Sequence, residues 1–156
     1  MSSQKEQSSP TRLLLIRHAQ TEWNIQRRFQ GHGDSPITEE GQEQLQRLKS
    51  RLAGLEFDVV YSSDLRRTMK TSHMLSGKHR VEVPRLRERG VGILEGLNLE
   101  QIMADHAEAF RAFRSGDKDH QIEGGESLQN AFNRAWTFLE EMPEKHPGAE
   151  LAAVSH

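Results

Sequence analysis

The sequence predicts an α/β domain built on a mostly parallel central sheet flanked by helices. Three observations predict it. Short apolar runs alternate with stretches of helical periodicity, the order that gives parallel sheets with right-handed crossovers. The runs at Leu13–Ile16 and Leu151–Val154 are continuously apolar, as expected of strands covered on both faces. Three strands end on polar residues: Arg17-His18, Ser62-Ser63-Asp64 and Ser155-His156. In a parallel sheet all three ends fall on one side, where open α/β sheets bind ligands.

The elements follow in order. Residues 1–11 are polar and Ser/Gln-rich and read as a disordered tail ahead of one domain over 12–156. Arg12–Arg17 is the first strand. Gln20–Pro36 is a long polar turn region. Thr38 caps a helix, with Glu39 and Glu40 suited to its N-terminal dipole, and Leu45, Leu48, Leu52 and Leu55 recur at helical spacing. Gly41 weakens that helix only slightly. Phe57–Tyr61 is the second strand. Ser62-Ser63-Asp64 caps a helix reaching about Leu75, with Gly77 as its stop. Arg80–Val83 is a short strand, and Leu86–Leu97 is irregular and glycine-punctuated. A helical stretch from Asn98 carries Ile102, Met103, Phe110 and Phe113, with a break near His106. Ser115–Gly125 is a polar loop. Leu128, Ala131, Phe132, Ala135, Leu139 and Met142 line one face of a helix from Glu126 to Met142 that Pro143 closes, with Trp136 in its packing. Leu151–Ser155 is the last strand.

Composition excludes several functions. The chain has 156 residues, 34% hydrophobic, with a net charge of −2 and no cysteine. Disulfides, thiol catalysis and cysteine zinc sites are therefore absent, and no polybasic surface invites nucleic acid. No apolar run approaches the ~18 residues of a membrane span. With no signal-like segment, the expected location is the cytoplasm. His32, His73, His79, His106, His120 and His146 show no metal-type spacing and read as surface or packing residues, so no metal site is expected.

Two histidines, several arginines and a loop carboxylate at one sheet edge suit phosphoryl transfer. Arginine grips phosphate oxygens with a planar fork and keeps its charge. A neutral histidine can attack phosphorus, and nearby arginines depress its pKa. A carboxylic acid can protonate the leaving oxygen, worth roughly 10² to 10⁴ in rate. This chemistry calls for no cofactor, and its partner is a small phosphorylated metabolite.

At Leu15-Ile16-Arg17-His18-Ala19-Gln20-Thr21-Glu22-Trp23-Asn24 the sequence resembles the Arg-His-Gly signature of the histidine phosphatase superfamily, in its phosphoglycerate-mutase-like branch. Further blocks resemble that family in order: Gln30-Gly31 with Asp34 to Thr38; Tyr61 to Thr68; Leu86 to Arg89 with Gly92 and Glu95-Gly96-Leu97; Gly124 to Ser127, which starts the helix before the last strand; and Val154-Ser155-His156. The resemblance implies a three-layer α/β/α fold and a role for each matching residue. His18 would be the phosphorylated nucleophile. Arg17, Arg67 and His156 would form the phosphate pocket, and Asn24 would donate a hydrogen bond. Glu88 would carry the proton, and Gln30 and Gly31 would line the substrate approach.

The chain departs from the pattern in several places, among them Ile93-Leu94, which stands where many relatives carry an aromatic. Ala19 stands where glycine is usual. Leu99 stands where mutases carry a lysine that holds substrate carboxylate, and the segment from Leu97 to Glu123 holds no arginine pair. These differences favour a metal-independent phosphatase of small phosphomonoesters over a cofactor-dependent phosphoglycerate mutase. Relatives also continue past the second histidine with a helix and strand, so the fold is expected to lack those elements and the pocket to be open on one side. An inactive phosphate-binding or scaffold protein therefore stays a third reading, and the sequence leaves monomer and homodimer open.

Overall fold

The computed structural model describes residues 9–156. Four strands form one sheet: β1 (Arg12–Arg17), β2 (Phe57–Ser62), β3 (Gly77–Glu82) and β4 (Glu150–Ser155). Their order is β1-β4-β2-β3, and every pairing is parallel. The helices are α1 (Glu22–Ile25), α2 (Glu39–Arg51), α3 (Arg66–Ser72), α4 (Leu99–Asp105), α5 (Ala107–Phe113) and α6 (Leu128–Lys145). Short 3₁₀ turns lie at Pro84–Leu86 and Gly92–Leu94. The expected tail lies outside the described residues as far as residue 8. Thr11 is tied down, donating to the His146 carbonyl at 2.7 Å and accepting from the Gly148 N–H.

The core sits in two layers around β4. Leu151 and Ala153 face Phe138 and Met142 of α6, together with Val59, Tyr61 and Leu86. Ala152 and Val154 point the other way, against Val60 and Leu75 with Leu48 and Leu52. Residues 151–154 of β4 are fully buried, as expected of a strand covered on both faces. A third cluster, Val91, Leu94, Ile102 and Ile122 with Phe29, Phe110 and Phe113, builds a wall beside the ends of the strands.

Several element-level expectations are corrected. β1 is not covered on both faces: it is the sheet edge with only β4 beside it, so Leu15 is 61% exposed. The cap of α3 is Leu65, with no side-chain hydrogen bond, because Ser62 is still in strand and Ser63 is spent elsewhere. Gly77 opens β3 rather than stopping a helix, and it is packed so closely that an added Cβ would lie 2.5 Å from Val60. Gly41 is required, not merely tolerated: a Cβ there would lie 2.3 Å from the Gln20 carbonyl, where α2 crosses the turn after β1. Leu55 falls beyond the end of α2 and is exposed.

The largest correction concerns α6. It runs through Pro143 to Lys145, since proline removes only one internal hydrogen bond near a helix end. Its buried stripe is Ala131, Phe138 and Met142, with Leu139 partly covered. Leu128, Phe132 and Trp136 form a second stripe four residues apart that faces outward, and Phe132 stacks on Trp136. Two apolar stripes overlap in the sequence, and only packing separates them.

This orientation has a direct test in chemical denaturation. Phe138→Ala, at a side chain only 2% exposed, is expected to cost about 3–5 kcal/mol. Phe132→Ala, on the outward stripe, is expected to stay within about 0.5 kcal/mol of wild type.

Candidate active site

The strand ends bring Arg17, His18 and His156 together, because Arg17 pairs with Ser155 in the parallel ladder and the His18 N–H donates to the Ser155 carbonyl at 3.0 Å. The two imidazole centroids lie 5.2 Å apart. Arg67 enters from the first turn of α3 and is 1% exposed. Its Nη1 donates to the Gly33 carbonyl at 2.5 Å and to Asp34 Oδ1 at 2.9 Å. Its Nη2 donates to the Gly31 carbonyl at 2.8 Å, and its Nε to His156 Nδ1 at 3.2 Å. Gly31 presents that carbonyl from a positive φ of 51°, in a place where an added Cβ would strike Val91.

These contacts fix both histidine tautomers. His18 Nδ1 lies 2.7 Å from the Ala19 carbonyl, which can only accept, so Nδ1 carries the proton and Nε2 keeps its lone pair. His156 is the reverse. Nδ1 accepts from Arg67, so Nε2 carries the proton and donates to Ser63 Oγ at 3.1 Å. Burial lowers the His18 pKa to about 4, against the raising effect of the Ala19 hydrogen bond, and Arg67 and Arg17 add to the depression. Burial also lowers His156 to about 2, with Arg67 and His18 contributing. Arginine proximity, the cause expected from sequence, is therefore secondary to desolvation.

A cavity of about 320 Å³ opens on this group, within the range of small-molecule sites. Arg17, His18, Asn24, Gly31, Arg67 and Glu88 all border it, so the structure assembles most of the expected set. Asn24 Oδ1 accepts from the Thr21 N–H and hydroxyl, which leaves its amide N–H₂ as the free end. Glu88 is exposed, and its Oε1 accepts from the Arg89 N–H at 2.8 Å. Two expected residues behave differently. Gln30 lines the cavity, but its Nε2 donates to Thr21 Oγ1 and its buried Oε1 has no partner. His156 stands behind His18, with both ring nitrogens engaged by protein. Ala19 causes no strain: its N–H donates to Thr71 Oγ1, and its φ is not in the left-handed region.

Sequence reading gives no sign that Ser63, Thr71 and Thr21 orient His156, Ala19 and Asn24. It also misses Arg89, whose guanidinium lies 4.2 Å over the Phe113 ring at the cavity wall. Leu99 is 54% exposed at the start of α4 and does not border the cavity. Among the described residues, no group of three or more His, Asp or Glu side chains could hold a metal ion, and no helix is long and apolar enough to cross a membrane.

Fold and site together define the class to which comparisons with known proteins also point. A family model described as the histidine phosphatase superfamily (branch 1) matches residues 13–156, and the chain belongs to that family. The chain is 37% identical over 150 residues to phosphoglycerate mutase-like protein 4 of Arabidopsis thaliana, covering 92% of this chain and 65% of that one. It is also 37% identical over 158 residues to a metal-independent phosphoserine phosphatase of the same plant, covering 97% and 66%. The chain thus spans about two thirds of the length of these relatives. Among solved structures, YhfR of Bacillus stearothermophilus superposes with a TM-score of 0.84 at 31% identity, covering 94% of this chain and 74% of that one.

The depressed histidines predict a pH signature. Below pH ~6.5 the unfolded chain protonates both histidines while the folded chain keeps them neutral, so the unfolded state binds more protons. Stability should therefore fall as pH drops from about 6.5 towards 4. Denaturation midpoints measured at pH 7 and pH 5 check this, and His18→Asn should shrink the difference.

Proposed function

We propose that this protein hydrolyses small phosphomonoesters through a phosphohistidine on His18, without a metal ion. One observation carries the reading: a neutral imidazole whose Nδ1–H is held by the Ala19 carbonyl, which leaves the Nε2 lone pair available at a cavity bordered by Arg17. Arg17 has no ion-pair partner among the described residues, and the Asn24 amide donors stand beside it. Both can meet phosphate oxygens without first breaking a strong contact.

The His18 Nε2 lone pair forms a bond to phosphorus as the ester P–O bond breaks. Glu88, as the carboxylic acid, gives its proton to the leaving oxygen, releasing an alcohol. The Glu88 carboxylate then takes a proton from water as the water oxygen attacks phosphorus. The P–N bond breaks, its electron pair returns to Nε2, and inorganic phosphate leaves. Arg67 holds His156 and the Gly31 and Gly33 carbonyls in place, and adds its positive charge to the phosphate pocket.

The distal wall supports a substrate class. Arg28 and Arg89 border the cavity, and neither has an ion-pair partner among the described residues. Glu88 is the single carboxylate there. This balance favours phosphomonoesters that carry a second anionic group. The metal-independent phosphoserine phosphatase among the relatives supports the same reading. Hydrolysis is preferred to transfer onto a second substrate, because the segment from Leu97 to Glu123 supplies no arginine pair and Leu99 does not face the cavity.

Quench trapping and the kinetics of two variants check this. Rapid quenching with labelled substrate should trap an acid-labile, base-stable phosphoryl group on the protein, and His18→Ala should lose at least ~10³-fold in kcat, a loss typical of removing a nucleophile. A His18→Ala variant as active as wild type would contradict the reading, and stimulation by a bisphosphorylated glycerate would favour a mutase. Arg89→Gln should raise KM about tenfold for phosphoserine, a loss typical of a charge-assisted hydrogen bond, and leave KM for an uncharged alkyl phosphate nearly unchanged.

A further inference from the structure

We propose that Arg134, on α6, and Glu126 form a clamp whose function is to hold Glu88 where it can reach the leaving oxygen. The inference rests on the proton-transfer role proposed for Glu88 and adds a positioning device to it. Arg134 Nη1 donates to the Arg85 carbonyl at 2.9 Å and to the Arg87 carbonyl at 2.6 Å. Its Nη2 donates to the Glu88 carbonyl at 2.8 Å. Nε and the second Nη2 hydrogen go to Glu126 Oε1 and Oε2, both at 2.8 Å. All five N–H bonds of one guanidinium are thereby spent, three of them on the backbone that carries Glu88.

Glu126 holds the other side of that residue. Its Oε2 accepts from the Gly90 N–H at 2.8 Å, and its own N–H donates to the Gly90 carbonyl at 2.9 Å. Ser155 Oγ donates to the Leu86 carbonyl at 2.8 Å, which ties the same loop to β4 next to His156. Carbonyls 85 to 88 are therefore each held by a side chain from α6 or β4, and residue 90 is held at both its backbone groups. The Arg134 hydrogen bonds lower the Glu126 pKa to about 2, so the clamp stays ionised at any working pH.

Such an investment is out of proportion to a surface loop. The Glu88 side chain itself is exposed and makes one hydrogen bond, to the N–H of its neighbour Arg89. Its location is thus set by its backbone rather than by side-chain packing. A general acid must come within about 2.6–3.2 Å of the oxygen it protonates, and a displacement of about 1 Å can cost ~10²-fold. An exposed acid on an irregular loop meets that tolerance only if the loop is fixed from outside. Lysine cannot replace Arg134, because a point charge on a flexible stem cannot serve five divergent acceptors.

The test exploits leaving-group chemistry. An alkyl phosphate needs its leaving oxygen protonated, whereas p-nitrophenolate leaves without help. The readout is kcat/KM, which reports the step that phosphorylates His18. Arg134→Gln is expected to lose about 10²-fold on phosphoserine but less than about threefold on p-nitrophenyl phosphate, the same pattern as Glu88→Gln. Glu126→Gln, which keeps the side-chain shape, should show a smaller loss of the same kind, and its thermal unfolding shows whether the fold persists. Equal losses on both substrates by a folded Arg134→Gln or Glu126→Gln, or no loss on either, would overturn the clamp. If Glu88→Gln itself shows no leaving-group selectivity, the acid role falls and the clamp with it. If Glu88→Gln shows it and the clamp variants do not, the clamp alone falls.

Discussion

The site depends on one buried guanidinium. Arg67 is almost fully enclosed, with a single carboxylate, Asp34, against its charge. A buried cation persists only when it is paired and its donors are met. Four of its five N–H bonds are met, by residues from the segment after β1 and from the end of β4. That requirement ties the turn at residues 31–34 to residue 156 at the end of β4. Burial lowers the Arg67 pKa, and Asp34 works in the opposite direction.

The state of His156 follows from that constraint. Arg67 donates to His156 Nδ1, which leaves that ring neutral and places its proton on Nε2 towards Ser63. His18, next to it, is desolvated and bound to its own neighbour's carbonyl, so it presents a lone pair rather than a proton. A phosphate dianion entering the cavity beside His18 would meet positive charge from Arg17 and Arg67 and an imidazole that is already neutral. The helices serve the same end from opposite faces. α3 delivers Arg67 and Thr71 from one side of the sheet, and α6 delivers the Arg134 that holds the Glu88 loop from the other.

Much of this is legible in the sequence, for a physical reason. Strand ends are local in sequence and converge in a parallel sheet, so the positions of Arg17, His18, Ser63 and His156 along the chain are enough to place them on one edge. Arg67 is separable from Arg66 by motif spacing, and burial agrees: Arg67 is enclosed whereas Arg66 is exposed. What stays hidden depends on partners distant in sequence. The tautomers come from Ala19, Arg67 and Ser63, and the inward turn of Gln30 comes from Thr21. The exposure of β1 depends on its place at the sheet edge. Sequence cannot choose the buried face of α6, since Leu128-Phe132-Trp136 and Ala131-Phe138-Met142 both recur at helical spacing and only the sheet selects between them. Arg134 has no signature of its own, because its acceptors are mostly backbone carbonyls, which leave no trace in a sequence.

The central claim is that the free site holds two neutral histidines in opposite tautomers, with His18 offering Nε2. Nitrogen-15 NMR of the imidazoles, followed from pH 7.5 down to 5, tests it most directly. His18 is expected to be protonated on Nδ1 alone and His156 on Nε2 alone, and neither should titrate in that range. A His18 imidazolium forming near pH 6.5, or a His18 proton on Nε2, would contradict it.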